Sequence, residues 1–176
     1  DLLLSELMKG QSELAIVPSN LALQAYKKDL GYKVVATIGW GSLYLVSTEE
    51  ISDISELEEV EIYNIGKGLT PDLVFKNILK NNGINEEKIE FSYVGAATEL
   101  TPLIISGQAK YAVLPEPILS TVMAKNENIK IILNLNEEWA KVNNVENGYP
   151  QSTLLIKEDF YNEIKNSGQY NEIIKK

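Results

Sequence analysis

The sequence contains no cysteine, no histidine and no arginine. The first two absences remove thiol nucleophiles, disulfides, the usual zinc ligand sets and every triad built on an imidazole base. A site made of carboxylates alone stays chemically open, but no acidic loop has the spacing of a calcium-binding hand. No cofactor is therefore expected. The missing arginine removes the planar fork that grips carboxylates bidentately. Acidic residues outnumber lysines by 25 to 16, giving a net charge of −9 and a pI of about 4.6. A nucleic-acid partner needs a basic, counterion-releasing face, so that class is excluded. No apolar run reaches the roughly 18 residues of a membrane span. The lack of cysteine is compatible with an oxidising exterior but does not fix a compartment.

What is present is enough apolar material, 44% of the chain, for one large or two small cores. Short apolar runs alternate with amphipathic segments. Strands are expected at 14–17, 34–38, 43–47, 60–65, 89–94, 111–114, 129–133 and 153–156. Helices are expected at 2–9, 20–29, 71–82, 99–106, 117–125, 137–142 and 159–166. Glycines stand where helices should stop, at Gly10, Gly31, Gly83, Gly107 and Gly168. Strands separated by helices predict βαβ units and a mostly parallel sheet. The acidic run Glu49–Glu61 reads as a solvated loop and strand edge.

One phrase recurs. Gly10–Asn20 reads GQSELAIVPSN, and Gly107–Pro117 reads GQAKYAVLPEP at an offset of 97 residues. Each copy predicts a glycine stop, a strand, then a proline corner into a helix. Two such βα elements suggest two α/β lobes of related design. A lobe running from Glu49 to Gln151 is expected to hold strands 60–65, 89–94 and 111–114 in one sheet. The chain opens on Asp1-Leu2-Leu3-Leu4, already helix-like, and stops in Glu172-Ile173-Ile174-Lys175-Lys176, so both ends read as cut.

The most informative corner is Ile65-Gly66-Lys67-Gly68-Leu69-Thr70-Pro71-Asp72. Glycines there let backbone N–H groups approach a ligand, and a helix N-terminus favours negative charge. Thr70 fits as the helix cap with Pro71 in the first turn. Gly66, Lys67, Gly68 and Thr70 are thus candidate ligand contacts, with a plain structural turn as the competing reading. The spacing is neither that of a P-loop nor GxGxxG. Gly95 to Glu99 repeats the design and nominates Thr98. The two repeat corners nominate Ser19 and Asn20, with Ser19 also a good N-cap, and Glu116 between two prolines. Gly39, Trp40 and Gly41 follow a strand, and a tryptophan between glycines weakens the default of core packing.

Together, VPSN, VATIGWG-x-LYLVS, GKGxTPD, VGxATEL and AVLPEP resemble the solute-binding proteins of bacterial ABC importers. The closest group is the nitrate, sulfonate and thiamine-precursor binding family, and the likeness runs from about Lys9 to Lys157. It implies a two-lobed type II periplasmic-binding fold, with ligand held in an interlobe cleft. On that resemblance one α/β lobe would be complete and the other truncated at both ends. Residues 49–151 would then form the inserted lobe, with 1–48 and 152–176 expected in the first. Leu43–Thr48 and Thr153–Glu158 would cross between the lobes. The resemblance further implies a non-enzymatic, extracytoplasmic receptor that partners a membrane permease, with a signal peptide or lipid-anchored cysteine upstream. Alternatives on the same fold are an enzyme, pyrimidine synthase-like or deoxyfutalosine-type, and the effector-sensing domain of a transcription regulator. The synthases rely on histidine, which this chain lacks. Trp40, Tyr44 and Tyr63 favour a heteroaromatic ligand.

Overall fold

A computed structural model describes residues 2–174. Asp1, Lys175 and Lys176, part of the helix-like opening and the final stretch read above, fall outside them. The chain divides into two compact units, Asp1–Trp40 with Pro150–Lys176, and Gly41–Tyr149.

The first unit is built on three strands, β1 (Leu14–Pro18), β2 (Tyr32–Trp40) and β8 (Pro150–Lys157). β8 lies in the middle, antiparallel to both neighbours. Helices α1 (Leu2–Lys9) and α2 (Ser19–Lys27) cover one face. There Leu7, Leu21, Ala22 and Ala25 pack with Val17, Tyr32 and Leu155. Lys157 donates to the Gly10 carbonyl at 2.7 Å, fixing the end of α1. Register shifts at Val34/Ala36 and Thr37/Gly39 bulge β2. This unit also holds α7 (Glu158–Asn166) and α8 (Tyr170–Ile174), the latter not anticipated from sequence.

The second unit is a five-stranded sheet in the order β5-β4-β6-β3-β7. Its strands are β3 (Leu43–Ser47), β4 (Glu61–Ile65), β5 (Glu90–Val94), β6 (Tyr111–Pro115) and β7 (Lys130–Asn134). β5, β4 and β6 are parallel; β3 runs antiparallel to β6 and β7. The three strands expected in one sheet do share one. Helices α3 (Thr70–Asn81) and α6 (Leu135–Asn143) lie on one face, α4 (Ala97–Ile105) and α5 (Ile118–Lys125) on the other. Consecutive residues serve opposite cores: Leu45 and Ile62 face the α3 side, Val46 and Tyr63 the α4 side. That two-sided burial is why these strands read as continuous apolar runs.

Two sequence expectations need correction. The crossing segments are internal strands: β3 is paired on both sides in the five-stranded sheet, and Thr153–Lys157 lies within β8. With Leu43 and Leu45 buried in the second unit's core, the chain divides after Trp40 and not after Thr48. The two repeat copies both form a strand and then a helix, but their settings differ. β6 is buried between β4 and β3, whereas β1 is a sheet edge with mostly exposed side chains.

Candidate functional site

Three parallel strands must end at one edge of their sheet. In the second unit this brings together the β4–α3, β5–α4 and β6–α5 corners. β3 begins at that edge, with Leu43 opposite Pro115, and β7 ends there, with Asn134 opposite Tyr44. Four helix N-termini therefore point to one side. Seven of the nominated residues sit on this edge: Gly41, Gly66, Lys67, Gly68, Thr70, Thr98 and Glu116.

The β4–α3 loop turns through two left-handed glycines, Gly66 at φ 56° and Gly68 at φ 78°. Their amides are already engaged. Gly66 N–H donates to the Val94 carbonyl at 2.9 Å, tying the ends of β4 and β5. Gly68 N–H donates to the Asp72 carboxylate at 2.7 Å. The cradle expected from uncovered Gly66 and Gly68 amides is thus filled from within. Thr70 is the first helical residue and not the cap, which is Leu69 without a side-chain bond. Lys67 and Gly68 are exposed.

Asp72, only 2% exposed, also accepts from the Tyr93 hydroxyl at 2.7 Å and pairs with Lys76 at 3.2 Å. Burial alone would raise its pKa, but the Gly68 amide, Tyr93 and Lys76 together hold it below its ordinary value. The carboxylate stays charged.

The other corners are similarly supplied. Glu99 places its carboxylate over Gly95, with Oε1 3.2 Å from where a Cβ would stand. Exposed Glu116 accepts from Ser120 N–H at 3.2 Å and from its hydroxyl, closing the start of α5; its own N–H donates to the Ser42 carbonyl at 3.1 Å. The Glu116–Pro117 peptide is cis. Asn134 caps α6 through Asn136 and Glu137 N–H, and its amide donates to Glu137 at 2.7 Å. Thr98 is exposed in the first turn of α4.

Sequence reading missed several edge residues. Asn136 accepts from Tyr149 N–H at 3.1 Å and donates to the Asn147 carbonyl. Gly41 N–H donates to the Tyr149 carbonyl at 3.0 Å, and a Cβ on Gly41 would enter the Tyr149 ring. Tyr149 is 2% exposed; its hydroxyl lies near the Ser42 and Leu43 amides without reaching hydrogen-bond geometry, and burial pushes its pKa up. Asn64, fully buried in β4, accepts from Ile65 N–H while its NH₂ has no partner. The pattern Asn134-x-x-Glu137 before a periodic run was the readable signal for α6. Nothing local marked Asn64 or Tyr149.

The remaining nominees, Ser19, Asn20, Gly39 and Trp40, lie in the first unit. Pro18 and Gly39 both stand opposite Ser152, so they share one end of its sheet. Ser19 is not a cap: α2 begins at Ser19 after Pro18, and the Ser19 hydroxyl bonds the buried Thr153 hydroxyl at 2.7 Å. Trp40 is exposed and not packed in a core. A Cβ on Gly39 would meet the Ser152 hydroxyl.

Cavities of about 300 to 460 Å³ occur elsewhere on the second unit. Two are lined by ion-paired groups, Lys130 with Glu50 and Lys110 with Glu49. Among the described residues no cluster of three or more acidic side chains is placed to hold a metal, and no helix is long and apolar enough to cross a membrane.

No family model and no curated protein matches the chain. Solved structures do. An ABC transporter protein of Parabacteroides distasonis matches 99% of this chain with a TM-score of 0.75 and 25% identity. The periplasmic aliphatic sulphonate binding protein of Escherichia coli matches 96%, with a TM-score of 0.73 and 12% identity. This is the fold of the ABC-transporter solute-binding proteins. A Prochlorococcus marinus protein in complex with methylphosphonate shares the solute-binding fold over 92% of the chain, at a TM-score of 0.62 and 13% identity. The chain spans 61%, 55% and 62% of these three proteins' lengths.

Proposed function

We propose that the chain belongs to an extracytoplasmic solute receptor that captures a small polar molecule and delivers it to the membrane permease of an ABC importer, without chemical conversion. The observation that carries this reading is the single edge on which β4, β5 and β6 end and four helices begin. Open α/β sheets take ligands at the carboxyl ends of their strands. Gly66, Lys67, Gly68, Thr70, Thr98, Glu116 and Gly41 are the proposed contacts on the second unit, and Ser19, Asn20, Gly39 and Trp40 on the first. The likeness to a sulphonate-binding and a methylphosphonate-bound protein supports the receptor class.

Purification of the natural protein under mild conditions, followed by mass spectrometry of released molecules, tests the proposal. Recovery of one unaltered small molecule, with a midpoint of thermal unfolding that rises when it is added back, supports it. Turnover of that molecule into a product by the protein alone favours the enzyme alternative and contradicts the receptor reading.

A further inference from the structure

The 66–69 loop is ill suited to holding its own shape. Gly66 and Gly68 both take the left-handed region, at φ 56° and 78°, and glycine has the most conformational freedom to lose on ordering. Main-chain bonds tie the base of the loop. Gly66 N–H donates to the Val94 carbonyl at 2.9 Å, and Leu69 N–H to the Gly66 carbonyl at 3.0 Å. Among the described residues one side chain bonds the loop's backbone: Asp72 Oδ2 accepts Gly68 N–H at 2.7 Å.

That carboxylate is itself held at its other oxygen. Asp72 Oδ1 accepts the Tyr93 hydroxyl at 2.7 Å and lies 3.2 Å from the Lys76 ammonium. Lys76 in turn stands over the Phe91 ring at 5.1 Å and the Tyr93 ring at 5.9 Å, and these two rings stack. Phe91 and Tyr93 lie two residues apart on β5, so they share the sheet face that α3 covers. Burial alone would lower the Lys76 pKa, but Tyr93 and Asp72 hold it above its ordinary value, so the ammonium stays charged. With both donors on Oδ1, the carboxylate cannot turn without breaking them, and Oδ2 stays aimed at Gly68. Bonds to an ionised acceptor are the strong ones. On a group only 2% exposed, losing either donor leaves the charge under-satisfied and free to reorient.

We infer that Tyr93 and Lys76 are positioning residues for ligand capture: by fixing the orientation of Asp72 they keep the 66–69 loop ordered before a ligand arrives. The inference rests on the receptor reading above and deepens it, since neither residue is among the proposed contacts. A loop already ordered need not be immobilised on binding, so affinity at this edge depends on the two side chains that brace Asp72.

The test compares the natural protein with its Tyr93→Phe and Lys76→Met variants. Phe keeps the ring and its stacking on Phe91 and loses only the hydroxyl. Met keeps an unbranched stem and loses the charge. Amide hydrogen exchange is followed by NMR at Gly68 and, for comparison, at the fully buried Ile62 and Ile78. In each variant, without ligand, Gly68 exchange should rise about tenfold or more above any change at Ile62 and Ile78. The molecule recovered from the natural protein, titrated by calorimetry, should bind each variant about tenfold more weakly. A role confined to overall stability would speed all three amides by the same factor, and that result overturns the inference. So does Gly68 exchange that either variant leaves unchanged. Faster Gly68 exchange with unchanged affinity also overturns it, while leaving the receptor reading intact. Chemical turnover of the recovered molecule by the parent overturns the receptor reading itself and the inference with it.

Discussion

The Asp72 carboxylate accepts the backbone N–H of Gly68 at 2.7 Å, four residues back along the chain. This bond closes the β4–α3 loop on itself. Asp72→Ala removes the acceptor and strands the Tyr93 hydroxyl and Lys76 beside a cavity. Leaving buried groups unpaired costs about 1–3 kcal/mol. Urea denaturation at pH 7 should show a loss of that size, with Asp72→Asn less affected than Asp72→Ala.

The same carboxylate gives stability a pH dependence. Its folded pKa lies below the ordinary 3.8, so its contribution is complete above that value and is lost as pH falls through the folded pKa. Between pH 7 and 5 it should contribute no slope. Below about pH 4 the parent should lose stability faster than Asp72→Asn. Denaturation midpoints of the two proteins that fall in parallel on acidification would show that Asp72 is not the group responsible.

Gly68 and Gly41 are required for different reasons. Gly68 has φ 78° and open space where a Cβ would stand, so only its backbone conformation restricts it. Gly68→Ala should cost about 1 kcal/mol, and Gly68→Asn less, since Asn tolerates the left-handed region. Gly41 faces the Tyr149 ring, so Ala and Asn should both destabilise it, and Asn more than Ala. Thermal unfolding of the four variants checks the ordering.

On the first unit, Ile16 is 63% exposed and Val34 60% exposed, with Leu14 and Ile38 also uncovered. Exposed apolar groups of this number on one small sheet favour association. Sedimentation of this chain alone should show concentration-dependent self-association, reduced by Ile16→Lys. A monomer at all concentrations would contradict this.

How much of this was legible beforehand varies with how far each signal reaches. The eight strands were found because apolar runs bounded by glycine and proline are local signals. Strand β3 was placed with the wrong unit because pairing partners lie far off in sequence: Leu43–Ser47 pairs with residues 111–115 and 130–134. The corner at Gly66–Thr70 was legible as a turn, yet its amides were misjudged, since Asp72 reads equally well as a solvated first-turn acid. Asn64 and Tyr149 gave no signal, because a polar residue in an apolar run does not reveal which face it occupies.

The central claim is that ligand meets the edge where β4, β5 and β6 end. Backbone amide shifts in the NMR spectrum of the natural protein, recorded with and without the molecule it releases, test this most directly. The predicted result is perturbation in the second unit concentrated at 41–43, 66–70, 95–99 and 116–120. Perturbation concentrated instead at the opposite ends of the same strands, around Glu61, Glu90 and Tyr111, would contradict the account.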